Sequence, residues 1–135
     1  MTEESFRAHA LAASLTVRDL AASTAWYRDV VGFVVEREHE REGVLRAVAL
    51  RAGSVRILLG RDDGAKGWER VKGEGFSMML TTDLDVDAVA ARIRAHGGSL
   101  DSEPTDTPWG IRAFRVRDPD GFRLTIASEP RAPGA

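Results

Sequence analysis

The sequence predicts an α+β fold of two β-α-β-β-β modules, forming curved mixed sheets around a cleft with helices on the outer face. Three observations predict it. The order of strand-like and helix-like segments in the first half recurs in the second. Each helix-like segment follows an Asp-Leu pair and stops at glycine. The segments between them are short, β-compatible and bounded by turn residues. The chain of 135 residues suits one domain, with module one at about 10–60, a linker at 61–75 and module two at about 76–128.

In chain order, LAASLTV (11–17) is an apolar strand, and Asp19 stands where a helix N-cap belongs. LAASTAWYRDVVGF places Leu20, Thr24, Tyr27 and Val31 at helical spacing, with Gly32 as the residue that ends the helix. FVVEREHE, VLRAVALRA and SVRILLG then read as strands, separated by turns at Glu42-Gly43 and Ala52-Gly53. GRDDGAKGWERVKGEG, Gly-rich and charged, is a flexible linker or a lid carrying Trp68. FSMMLTTDL repeats the first strand, Asp83-Leu84 matching Asp19-Leu20 at an offset of 64. VDAVAARIRAHGG is the second helix, with Val86, Val89 and Ile93 as its apolar stripe and Gly97-Gly98 as its stop. SLDSEP, IRAFRVRD and GFRLTIAS complete the module, and EPRAPGA is a frayed tail. In DPDG, Pro119 presets φ and Gly121 suits the fourth turn position, giving a tight hairpin.

Alternation along the strands assigns their faces. Ala13, Leu15 and Val17, then Val55, Ile57 and Leu59, then Phe122, Leu124 and Ile126 go to the core. Arg56, Leu58, Arg123 and Thr125 face the cleft, joined by Phe76, Met78 and Leu80 of the fifth strand.

Composition narrows the function. A formal charge of −2 with no basic cluster excludes non-specific nucleic-acid binding. The absence of cysteine excludes disulfides, thiol catalysis and zinc-thiolate sites. The start MTEESFRAHALAAS does not read as a signal peptide and no apolar run reaches membrane-spanning length, so a cytoplasmic location is expected.

LTVRDLAASTAWYRDVVGFVVE, PWGIRAF and RDPDGFRLTIAS, in this order from about Ala10 to Ser128, resemble the vicinal oxygen chelate superfamily, also called the glyoxalase/bleomycin resistance/dioxygenase superfamily. The resemblance implies that metal-dependent members would hold a divalent ion at the positions of Ala12, Leu58, Phe76 and Thr125. None of these side chains ligates well, and His9, His39 and His96 do not converge, so no metal and no cofactor is expected. Metal-free members of the bleomycin-resistance type imply instead a small-molecule binder that sequesters an antibiotic-like or aromatic guest in the cleft of a homodimer.

The residues expected to touch that guest are Leu58, Trp68, Phe76, Met78, Trp109, Arg112 and Thr125. Trp109 offers a stacking surface, or else packs at a strand end; Trp68 closes over the ligand, or else anchors its loop. Arginines near the cleft favour a neutral or anionic guest. The competing readings are a metal-dependent glyoxalase-like lyase, isomerase or thiol transferase with displaced ligands, a metal-free enzyme using Ser14, Thr16 or Thr125, and a dimer with an empty cleft.

Overall fold

A computed structural model describes residues 4–130; residues 131–135 of the expected frayed tail lie outside the described residues. The element order is β1 (Ala12–Val17), α1 (Leu20–Ala25) widening into a π-helical segment (Trp26–Val31), then β2 (Val34–Arg41), β3 (Val44–Ala52) and β4 (Val55–Arg61). Module two follows with β5 (Ser77–Thr82), α2 (Val86–Ala95), β6 (Leu100–Asp106), β7 (Arg112–Arg117) and β8 (Arg123–Ser128). Each module folds into its own four-stranded mixed sheet, ordered β1-β4-β3-β2 and β5-β8-β7-β6. In both, the first strand runs parallel to the last and the remaining pairs are antiparallel.

Local chemistry explains where the elements begin and end. Asp19 caps α1 by accepting from the Ala22 N–H. The second helix is capped by Asp85, which accepts from the Asp87 N–H, and not by Asp83. The Asp83-Leu84 match to Asp19-Leu20 is therefore displaced, with consequences for β5. Helix α2 closes in a Schellman arrangement: the Gly98 N–H donates to Ile93 O at 2.8 Å and the Gly97 N–H to Arg94 O at 3.1 Å. The two-residue turn between β2 and β3 has positive φ at both Glu42 and Gly43, as a type I′ hairpin requires.

Both helices lie on one side of the sheets. The first covers β3 and β4; α2 covers β6, β7 and β8 and also meets the π-helical segment of module one. One continuous core results, running from Leu15, Tyr27, Leu50 and Leu59 to Ile93, Phe114 and Leu124. The opposite side of each sheet carries no helix and stays open. Strands β1 and β5 border a common groove, yet each is hydrogen-bonded only within its own sheet.

Gly98 is a point of close approach between the modules. A Cβ there would sit 2.6 Å from Ile93 Cγ2 and 2.7 Å from Val30 Cγ1. Gly98→Ala is expected to destabilise the protein by about 1–3 kcal/mol through overpacking, read as a fall in chemical-denaturation midpoint with unchanged slope. A variant as stable as the parent would show that the seam is loosely packed.

Candidate binding faces

Residues directly opposed across a sheet share a face, so the strand registers define what each open face presents. On module two, Met79 stands opposite Thr125, Thr125 opposite Arg115 and Arg115 opposite Ser102, one row across the whole sheet. The matching row on module one is Ser14, Leu58, Ala49 and Arg37. Trp109 rises at one end of the module-two face. Its loop is held by the Thr107 N–H and hydroxyl, both donating to Ile111 O at 2.8 Å, and by a turn that needs Gly110 at φ 87°. This leaves Trp109 71% exposed and Met79 58% exposed over a hollow of about 370 Å³ that also includes Thr105, Ala113, Arg115 and Thr125.

The structure places Met78, Phe76, Arg112 and Trp68, four of the expected residues, outside the Trp109 hollow. Met78 and, with it, Leu80 face the helices: they are opposed to Leu124 and Ile126, pack on the core, and leave the open face to Met79. The pairing of Leu58 with Ser14 and of Thr125 with Met79 sets the true offset in the first strand at 65, so the counterpart of Ala12 is Ser77, not Phe76. Phe76 is an exposed residue ahead of β5, beside the groove shared with β1. Arg112 lies on the helix side, where its guanidinium pairs with Asp87 of α2 at 2.8 Å and with Asp106 at 3.2 Å. Arg115, which the sequence reading missed, stands with Arg117 on the open face of β7. Trp68 folds over Gly64 and beneath the Arg18 guanidinium, 5.9 Å from its ring centre, at the end of β1, away from the Trp109 hollow. Leu58, Thr125 and Trp109 stand on the open faces, and Trp26 packs edge-on against Tyr27 in the core.

The donor set does not suit a divalent ion. The four family positions become Ala12, Leu58, Ser77 and Thr125, two of them apolar and two neutral hydroxyls. Among the described residues no three His, Cys, Asp or Glu side chains gather where they could hold a metal. His96 is engaged locally, its Nδ1 lying 2.9 Å from Arg92 O.

The linker and the DPDG turn form a polar clasp between the modules. Asp118, 5% exposed, accepts from the Asp120 and Phe122 N–H groups through Oδ1 and from the Tyr27 hydroxyl through Oδ2, each at 2.9 Å. Lys72 Nζ lies 2.9 Å from Asp62 Oδ2, Asp120 Oδ2 and Thr16 O, spending all three of its donors. The Arg18 N–H also donates to Asp120. Burial, and then the charge of Asp118, push the Tyr27 phenol well above its ordinary range. Burial likewise raises Asp118, although its three donors pull the other way.

Asp62 behaves oppositely: the Lys72 ammonium, followed by the Gly64 N–H, holds it far below the usual carboxylate range despite its burial. A carboxylate depressed in the folded state contributes its full stability above the unfolded value of about 4, and loses it as pH falls through the folded one. Asp118 contributes with the reverse sign just above that value, since there the folded state keeps a proton the unfolded state has released. Asp62→Asn is therefore expected to lower the melting temperature at pH 7 and to flatten its decline below pH 4. Parallel melting curves for variant and parent across that range would refute the assignment.

Residues 8–126 match the Glyoxalase/Bleomycin resistance protein/Dioxygenase superfamily. The chain belongs to that superfamily. Its fold is similar to TioX from Micromonospora sp. ML1, with a TM-score of 0.73, 22% identity and coverage of 90% of this chain and 98% of that one. It is equally similar to TnmS3, an antibiotic binding protein from Streptomyces sp. CB03234, with a TM-score of 0.73, 24% identity and coverage of 95% and 100%. A superfamily member from Sphaerobacter thermophilus DSM 20745 follows at a TM-score of 0.69, with 23% identity and coverage of 91% and 98%. No curated protein matches the sequence. Among the described residues of this superfamily member, no helix is long and apolar enough to cross a membrane.

Proposed function

We propose that this superfamily member binds an aromatic or antibiotic-like small molecule without a metal and sequesters it, acting in the cytoplasm as a homodimer of the bleomycin-resistance type. The whole chain works as one domain whose two open faces are half-sites, each closed by a second copy. The observation that carries this reading is the module-two face: exposed Trp109 and Met79 frame the Thr125 hydroxyl where a metal enzyme of the superfamily would need imidazole or carboxylate. Exposed apolar side chains on the helix-free faces supply the drive for pairing. The fold shared with an antibiotic binding protein supports the class of guest. In this role the protein confers resistance by lowering the free concentration of its ligand, with no bond made or broken.

The test is quenching of intrinsic tryptophan fluorescence by a panel of planar antibiotics and aromatic metabolites, with light scattering to give the mass in solution. Saturable quenching by at least one compound and a dimer mass are expected. A stoichiometric divalent ion in protein purified without chelators, with turnover dependent on it, would replace this reading by the lyase, isomerase or transferase one.

A further inference from the structure

We propose that the guest of the module-two face carries an anionic group, a carboxylate or its equivalent, held by Arg115 and Arg123 while its ring lies toward Trp109. The proposal deepens the binding reading above and rests on it.

The two modules place a pair of arginines at equivalent points and treat their charge differently. In module one Arg51 and Arg56 are directly opposed on the open face, and Glu36, projecting from a bulge in β2, answers both, at 3.5 Å and 3.0 Å. In module two the opposed pair is Arg117 and Arg123, and the bulge in β6 carries Asp101. Aspartate is one methylene shorter. It reaches Arg117 at 2.6 Å and does not reach Arg123. The Thr125 row adds a further cation, Arg115, where module one has Ala49. Among the described residues neither Arg115 nor Arg123 has a carboxylate within ion-pair distance. Like charges directly opposed on a sheet are unfavourable, so an anion arriving here gains both attraction and relief of that repulsion.

The charge is also ordered in space. Along β7 the open face runs Ala113, Arg115, Arg117, and along β8 it runs Ala127, Thr125, Arg123. The alanine end adjoins Trp109, and the arginines begin one step later, about 7 Å away at the rise of a strand. A flat ring bearing an acidic substituent at that distance fits both ends together. Arg56, by contrast, is paired with Glu36, and Arg112 with Asp87 and Asp106.

The experiment uses 2-naphthoate and its uncharged amide, 2-naphthamide, as probes by isothermal titration calorimetry on the intact protein. Naphthoate is expected to bind at least about tenfold more tightly than the amide. Arg115→Gln and Arg123→Gln are each expected to weaken naphthoate about tenfold and leave the amide unchanged, while Arg28→Gln, on the π-helical segment away from both open faces, changes neither. Equal affinity for the two probes would overturn the anion assignment and leave the aromatic site standing. Binding of neither at millimolar concentration would overturn both. Should Arg115→Gln and Arg123→Gln weaken dimerisation in sedimentation while naphthoate affinity is unchanged, the arginines meet carboxylates of a second copy, and the proposal fails.

Discussion

Asp118→Ala is expected to lower the melting temperature by about 10–15 °C. The carboxylate accepts two backbone N–H groups and the hydroxyl of Tyr27, and the phenol is 0% exposed, so no water can replace the lost partner. Each orphaned donor costs about 1–3 kcal/mol; the two backbone N–H groups belong to partly exposed residues and fall at the low end, so the total is about 3–4 kcal/mol. In a chain this size that converts to the stated shift. Asp118→Asn keeps the shape, accepts both backbone bonds and offers an N–H to the phenol oxygen, so its expected cost is about 1 kcal/mol. Differential scanning calorimetry on the pair separates a hydrogen-bonded clasp from a simple turn. If the alanine variant melts within about 3 °C of the parent, DPDG is only a hairpin corner.

The second large effect concerns ligand affinity. Trp109→Ala is expected to raise the dissociation constant of whichever planar compound quenches the protein by about 10–100-fold. Stacking contributes about 0.5–1.5 kcal/mol beyond area, and enclosure of the exposed indole contributes comparably, about 1.4–2.8 kcal/mol together. Trp68→Phe is the control: that ring is engaged by Arg18 and Gly64 at the end of β1, outside the Trp109 hollow, so affinity should stay within about twofold. An unchanged constant in Trp109→Ala would remove the indole from the site. A large loss in Trp68→Phe would mean that the linker swings over the ligand.

Most of the architecture was legible because sequence signals of different kinds agreed. Asp19, Gly32, Glu42-Gly43 and Gly97-Gly98 act locally, through caps and positive-φ turns, and need no tertiary context. Alternation was reliable in β1, β4 and β8, where polar and apolar residues differ clearly between faces. It failed in β5, because Phe76, Met78, Met79 and Leu80 are all apolar and the repeat of Asp-Leu points to Asp83 although the helix is capped by Asp85. That one-residue displacement put Met78 where Met79 belongs. In β7, arginines occur on both faces; the buried pair Phe114 and Val116 puts Arg112 on the helix side and Arg115 on the open side, an alternation left unused there. The π-helical widening at Trp26–Val31 left no trace in the periodicity, and the clasp around Lys72 depends on groups as far apart as Thr16 and Asp120.

The break in hydrogen bonding between β1 and β5 bears on how such a protein changes over generations. Because no main-chain ladder joins the halves among the described residues, a substitution or bulge that re-registers one sheet leaves strand alignment in the other untouched. Two modules of the same strand order can therefore carry unlike walls. In one wall a single carboxylate, Glu36, reaches both members of an opposed arginine pair, while in the other the shorter Asp101 reaches Arg117 and leaves Arg123 without one.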